Sequence, residues 1–433
     1  MDLVKCQLPI LFLLFLTSSA TAGNGNNISA VVLAITKDET TGLFTIPFAG
    51  EEYLFDITAN YFSDLCKPNH PTVACNSTVC SVAHSFCASF CPATTVTSDC
   101  QRRGDVCSTS ISNSLEGGCY YGEPSLIEAG VVVSAVDRRK GNLELISLPQ
   151  FISVCGYETM LGMLPESAVG IAGLSLSPLS IPSQFSDFLS LERKFAVCLP
   201  STGSATGVAI IGTELPSVLV RRGNLANRFT YTELKSDPRN SAAYFIGVEG
   251  ISVNQKPVDF SSGVFEFDAV GNGGVMLSTA TPYTTMLSEV YMSFLKAYKE
   301  ATAAIPRAKN ILPFDLCLNV TSLESNEFGY DVPPVDIKLS DGKTWTLYGA
   351  NIFKKVAPDV ICLAFVDGGP MEQMLTYNAV IVGGFQLEES LLVFDMDRLR
   401  LGYISSLPGT LSVSCEDFDD ELQQPLSAGK MTM

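Results

Sequence analysis

Cysteine placement constrains this chain more than any other feature: nine of its 14 cysteines fall between Cys66 and Cys155. Thiols at that density persist as disulfides outside the reducing cytosol, so crosslinks are expected to hold a loop-rich stretch there. The first residues, MDLVKCQLPILFLLFLTSSATA, point the same way. Lys5, an apolar run over 8–16 and the small residues Ala20, Thr21 and Ala22 read as a cleaved signal peptide over residues 1–22. That run is far shorter than the roughly 20 residues needed to span a bilayer, and no later stretch reaches that length. Cys6 leaves with the signal, and the remaining cysteines imply bridges plus one odd thiol. Cys75-x4-Cys80 and Cys87-x3-Cys91, with His70 or His84, offer zinc as an alternative; export and irregular spacing favour disulfides.

The composition, 46% hydrophobic and 17% charged, is that of a packed globular protein. A formal net charge of −18 excludes nucleic acid and anionic membranes as partners, since phosphate binding needs clustered Lys and Arg. Asn27, Asn76 and Asn319 each stand two positions before Ser or Thr without an intervening proline, so they are expected glycosylation sites at the surface.

Short apolar runs such as VVL (31–33), YLF (53–55), VVV (131–133), VAII (208–211) and AVIV (379–382) alternate with Gly, Pro, Asn and Ser clusters, the pattern of short strands. The best helical periodicity lies over 288–304, where Val290, Phe294, Ala297 and Tyr298 share a face. The small-residue stretch STGSATG (201–207) reads as a linker between a first lobe, 23–200 with the cysteine-rich insertion, and a second, 208–415. Each half also carries an apolar strand that runs into a glycine turn, at 169–174 and 380–385, as a duplicated lobe would. Residues 416–433 are acidic, then polar, and are expected to form a flexible tail.

The segment GIAGLSLSPLSIPSQF (170–185) resembles the Gly-x-x-Gly-Leu…Leu-Ser-x-Pro-Ser-Gln segment of plant aspartic proteinases of the pepsin family. VGGFQLEESLLVFDMDRLRLGY (382–403) resembles the closing segment of that family. The resemblance implies a mainly β, bilobal pepsin-like fold with a few short helices. It also implies that Cys66, Cys75, Cys80, Cys87, Cys91, Cys107, Cys119, Cys155, Cys198, Cys317, Cys362 and Cys415 form disulfides. Cys100 is then the unpaired thiol, because Cys107 and Cys119 better match the family spacing.

Active members of that family present Asp-Thr-Gly or Asp-Ser-Gly on each of two loops, where paired carboxylates share a proton and activate one water. Asp56 stands ten residues before Cys66, as the first aspartate does in the family, but Ile57, Thr58 and Ala59 replace Thr, Gly and Ser, and Ser63 replaces Trp. The second loop, after Gly273, Gly274, Val275, Met276 and Leu277, reads Ser278, Thr279, Ala280. No catalytic residue is expected: Asp56 and Ser278 are vestigial positions, because a serine hydroxyl gives Asp56 no charged neighbour with which to share a proton. Ile57 lacks the hydroxyl that braces the loops in active members, and Thr58 and Ala280 replace glycines that admit close approach. The run YGEPS (121–125) resembles the substrate-covering flap, with Tyr121 as the flap residue and Pro124 stiffening it. A buried ring with a bonded hydroxyl is the other role open to Tyr121. A Ser278 nucleophile activated by histidine is not expected, since His70 and His84 both lie in the cysteine-rich stretch.

Among relatives that lost the dyad, ITKD (35–38), LFTIPF (43–48) and LST (277–279) followed by Pro282 and Tyr283 resemble the cereal xylanase inhibitors, and with them the xyloglucanase inhibitors and legume basic globulins. This implies a secreted, extracellular protein of the apoplast or cell wall, acting in plant defence as a monomer without metal or cofactor. Its implied partner is a microbial glycoside hydrolase, such as an endoxylanase or a xyloglucan endoglucanase, which it binds and inhibits. Xylanase inhibitors use a histidine shortly before the last cysteine; LPGTLSVSC (407–415) holds none, nor the arginines of the xyloglucanase inhibitors. Arg398 and Arg400 lie earlier, on an expected closing strand with a solvated face. A storage or receptor-like globulin and a residual aspartic endopeptidase built on Asp56 are the alternatives. A glycosidase is not expected, as no carboxylate pair stands at recognisable positions.

Overall fold

The computed structural model describes residues 27–48, 50–67, 70–86, 105–115, 118–139, 143–212, 227–239, 241–371 and 377–418. Its backbone is an antiparallel run of strands drawn from both halves of the chain. The order is Ile28–Lys37, Gly207–Gly212, Lys194–Cys198, Leu391–Asp395, Arg400–Ile404 and Thr230–Lys235. Gly207–Gly212 (GVAIIG) is buried at every position, as a β-branched run without alternation requires when both faces of a sheet are covered. The halves meet where Lys194–Cys198 pairs with Leu391–Asp395. There Phe195 stacks on Phe394, ring centroids 4.8 Å apart, and Tyr244 packs on Phe394 at 4.5 Å. The Cys198–Cys415 disulfide fastens the same seam.

Each half repeats one motif. In the first, Glu51–Asp56 runs parallel to Ala168–Gly173, which pairs antiparallel with Phe62–Leu65. In the second, Val275–Leu277 runs parallel to Val380–Val382, which pairs antiparallel with Thr284–Met286. The two glycine-turn elements that rhyme in the sequence are thus the middle strands of equivalent motifs. A buried glutamine follows each. Gln184 bonds both backbone groups of Ile152, and Gln386 accepts from the Thr284 amide while donating to the Asn351 and Ala364 carbonyls. Ser288–Ala301 is helical, with Val290, Tyr291, Phe294, Leu295 and Tyr298 buried at the expected spacing.

Two expectations are corrected. Residues 201–207 are the loop of the hairpin between Lys194–Cys198 and Gly207–Gly212, not a link between lobes; Val208 pairs with Cys198. The Lys37 ammonium holds this loop through the Ser201 carbonyl at 2.8 Å. The expected tail begins later than residue 416. Cys415–Phe418 forms a 3-10 turn, pinned where the Ser414 amide donates to Asp417 and the Cys415 amide to Glu389, at 2.8 and 2.9 Å. Residues 419–433, and the expected signal peptide over 1–22, lie outside the described residues.

Cys66–Cys155, Cys80–Cys107, Cys198–Cys415 and Cys317–Cys362 are disulfides, and Cys75 is bridged as well. Among the described residues no cysteine is free. Cys87, Cys91, Cys100 and the side chain of Cys119 lie outside them. These bridges fit a chain that folds in an oxidising compartment. No described helix is long and apolar enough to cross a membrane.

Candidate functional site

Asp56 ends the strand Glu51–Asp56, opposite Gly173, and its carbonyl accepts from the Leu174 amide at 2.9 Å. A Cβ on Gly173 would lie 2.2 Å from the Tyr61 carbonyl oxygen, so only glycine admits this crossing. In the second half Ser278 follows Val275–Leu277, and its amide donates to the Val382 carbonyl at 3.0 Å. The equivalent motifs thus present Asp56 and Ser278 at equivalent strand ends.

What surrounds Asp56 differs from an open catalytic carboxylate. It is fully buried. One oxygen accepts from the Thr58 amide at 2.7 Å and the Thr58 hydroxyl at 2.6 Å; the other accepts from the Ser114 hydroxyl at 3.0 Å. Ser114 belongs to the turn after the strand Ser108–Asn113, and its hydroxyl lies 3.1 Å from that of Thr58. Burial pushes the Asp56 carboxyl above the usual range, against the hydrogen bonds from Thr58, Ser114 and the Ala59 amide that favour its charge. Ser278 is fully buried too, its hydroxyl accepting from Thr281 at 3.3 Å.

Sequence reading missed Ser114 as a partner of Asp56. Nothing in the local string NSLEGG marks it; only the return of the hairpin over the strand end brings the two together. The alanines at the Ser and Gly positions, Ala59 and Ala280, have a visible consequence. Ala59 and Ala280, one from each half, are buried in one apolar cluster with Leu43, Leu54, Leu161 and Ile171. A cluster of this kind fills space beside the strand ends.

The brace between the loops survives on one side. The Thr279 hydroxyl accepts from the Ile57 amide at 3.1 Å and donates to the Phe55 carbonyl at 2.6 Å, joining residues more than 200 apart in sequence. Ile57 offers no hydroxyl in return and packs into the main core. Thr279→Val would leave two buried backbone groups unpaired. It is expected to lower the unfolding free energy by about 2–4 kcal/mol, read from denaturant titration. A loss below about 0.5 kcal/mol would show that the brace carries nothing.

The backbone of 121–125 lies within the strand Gly118–Asp137, with Tyr121 opposite Ser110; the side chain of Tyr121 lies outside the described residues. Neither histidine is near Ser278. His70 lies against the Cys66–Cys155 bridge and His84 against Cys80–Cys107. The zinc alternative drawn from Cys75-x4-Cys80 therefore loses Cys80 to Cys107. Arg398 and Arg400 both bond the Asp395 carboxylate at 3.0 Å, and Arg400 also covers the Tyr231 ring. Burial opposes the charge on Asp395, but the two arginines outweigh it and hold the carboxyl below its usual range. Residues 407–415 form the short helix Leu407–Leu411 and the lead to Cys415, with Leu407 buried.

Comparison with known proteins places this geometry. Family models described as xylanase inhibitor N-terminal and xylanase inhibitor C-terminal match residues 51–213 and 243–405. A rice protein (Oryza sativa subsp. japonica) named chitinase CLP is 32% identical over 403 residues, covering 90% of this chain and 91% of its own. The chain belongs to the xylanase-inhibitor family of pepsin-like proteins. Another member of comparable similarity, named probable aspartic proteinase GIP2, comes from Nicotiana benthamiana; it is 30% identical, with 91% of this chain and 93% of that one covered. Among solved structures, edgp superposes with a TM-score of 0.77 at 27% identity, covering 90% of this chain and 98% of its own. Basic 7S globulin from soybean superposes at 0.71 and 26%, covering 90% and 99%. In this xylanase-inhibitor-family chain the bilobal body is therefore shared along nearly its whole length with globulins as well as with relatives named for enzymes.

Proposed function

We propose that this protein is a catalytically silent binder, secreted to the apoplast or cell wall, that inhibits a microbial glycoside hydrolase such as an endoxylanase or a xyloglucan endoglucanase. The observation that carries the silent half of this reading is the state of Asp56: buried, with hydroxyl donors on both oxygens, and faced in the equivalent motif by Ser278, which cannot ionise. An aspartic proteinase needs two carboxylates sharing a proton over a bound water. The binding half rests on the family. Asn27, Asn76 and Asn319 are proposed glycan sites; Asn76 is exposed, just before the Ser77 cap of the helix Thr78–Ala83.

Contact is assigned to loops of the second half other than 407–415. Leu312 is 91% exposed with Ile311 beside it at 42%, an apolar tip suited to enter a cleft. A storage or receptor-like globulin is the second reading, favoured by the match to soybean basic 7S globulin.

The test is hydrolysis of xylan, xyloglucan and chitin by a panel of fungal enzymes with and without the purified protein, beside a haemoglobin digest at acid pH. Inhibition of at least one hydrolase, weakened roughly tenfold or more by Leu312→Asp, is expected. No inhibition and no proteolysis would favour the globulin; pepstatin-sensitive proteolysis would overturn the silent site.

A further inference from the structure

The chain holds only two histidines, and each lies beside a disulfide. The more accessible case is Cys66–Cys155. Cys66 and His70 are half-buried, while Cys155 is fully buried. The His70 Nε2 atom stands 3.6 Å from Cys155 Sγ, and all three ligand atoms lie within 4.8 Å of one another. A tetrahedral zinc ion with Zn–S of about 2.3 Å and Zn–N of about 2.0–2.1 Å holds neighbouring sulfur and nitrogen ligands about 3.6 Å apart. The imidazole already has that edge. Its other nitrogen, Nδ1, bonds the Lys67 carbonyl, which orients the ring and fixes Nε2 as the free lone pair, as outer partners of zinc-bound histidines do.

We propose that Cys66, His70 and Cys155 form a thiol-gated site for a thiophilic divalent cation of the zinc class: a covalent bridge when oxidised, a metal site with two thiolates and one imidazole when reduced. Opening the site takes two electrons from a dithiol reductant. One reductant thiolate attacks the accessible Cys66 sulfur, the S–S bond breaks, and Cys155 leaves as a thiolate. The second reductant thiol then resolves the mixed disulfide, and the reductant departs as its own disulfide. Both cysteines bind the metal as thiolates and release their protons, and water takes the fourth position. The strands carrying the ligands stay in register, since Asp64 pairs with Cys155 and the Cys66 amide donates to the Gly156 carbonyl at 3.0 Å. Cys80 and Cys107 are both buried, and His84 directs Nε2 to the Ser108 carbonyl at 2.8 Å, so mild reduction is expected to leave that bridge closed.

The test uses the full chain under graded dithiothreitol, with Co²⁺ as the probe, mass mapping of alkylated cysteines, and circular dichroism to follow the fold. Expected are a thiolate-to-cobalt charge-transfer band that appears as Cys66 and Cys155 open, and metal protection of both from alkylation. His70→Ala should weaken cobalt binding roughly tenfold or more, and His84→Ala should leave it unchanged. Binding that survives His70→Ala, or Cys66 and Cys155 shown reduced without a cobalt band, overturns the proposal. So does unfolding on opening this one bridge with Co²⁺ present, because the site depends on the paired strands.

Discussion

Lys37→Met is expected to lower the unfolding free energy by about 1–3 kcal/mol at pH 5, and by about 1.4 kcal/mol more for each pH unit above about 8. Lys37 ends the first strand of the first half, and its ammonium meets the Glu388 carboxylate of the second half at 2.8 Å, both side chains about 5% exposed. Burial pushes the Glu388 carboxyl from 4.5 up to about 8; Lys37 pulls it down, and neighbouring Glu389 adds to the rise. The sign follows from linkage. An acid whose folded pKa lies above its unfolded value holds its proton more tightly in the fold. Its contribution is therefore fully present below about pH 4.5 and lost as pH climbs to about 8. Asp56, Asp187 and Glu389 are shifted upward by burial as well, so the wild-type protein should melt higher near pH 5 than near pH 8.

Without Lys37 the Glu388 carboxyl loses the neighbour that pulls it down, and it then holds its proton past pH 8, so the lost charge pairing is felt only above that value. At pH 5 the carboxyl is already neutral, and only the hydrogen bonds of Lys37 to Glu388 and to the Ser201 carbonyl are lost. Denaturant titrations of both proteins at pH 5 and pH 9 give the comparison. A loss at pH 9 no larger than the loss at pH 5 would mean that Glu388 is not the buried acid the geometry makes it.

Sequence pattern reached furthest where structure is local or repeated. The strands over 31–33, 53–55 and 208–211 announce themselves by β-branched or aromatic runs, and the helix by the spacing of Val290, Phe294 and Tyr298. Gln184 and Gln386 stand inside the segments that carried the family resemblance, because each ties a connection behind its motif and few side chains have both donors and acceptors for that. The failures are non-local. STGSATG looks like a linker because small residues suit any exposed turn, and nothing in it shows that the strands on either side pair with each other. The Lys37–Glu388 pair and the Ser114 bond to Asp56 join residues with no shared periodicity. The first exists only once the halves have docked, the second only once the hairpin has folded back over the strand end.

Ser278→Asp would restore the second carboxylate in name, and it is expected to yield no protease. The new carboxyl would enter a fully buried position whose hydroxyl now bonds Thr281, in a chain where burial already raises Asp56. At pH 7 the variant should lose about 2–4 kcal/mol of stability, shrinking toward pH 4 as the added group takes up a proton. Haemoglobin cleavage should stay at background throughout. Asp56 already spends both oxygens on Thr58 and Ser114, so neither is free to hold a water in the geometry of attack. Ala59 and Ala280 meet in an apolar cluster where active relatives carry Ser and Gly. Recovery of activity therefore requires Thr58→Gly and Ala280→Gly together with Ser278→Asp, and Ile57→Thr to complete the brace that Thr279 now makes alone. Pepstatin-sensitive cleavage by the single variant would show that Ser114 leaves Asp56 readily and that the site is one substitution from catalysis. Background activity in the single variant with a measurable gain in the combined one would place the proposed catalytic silence in the packing around the carboxylate as much as in the missing partner.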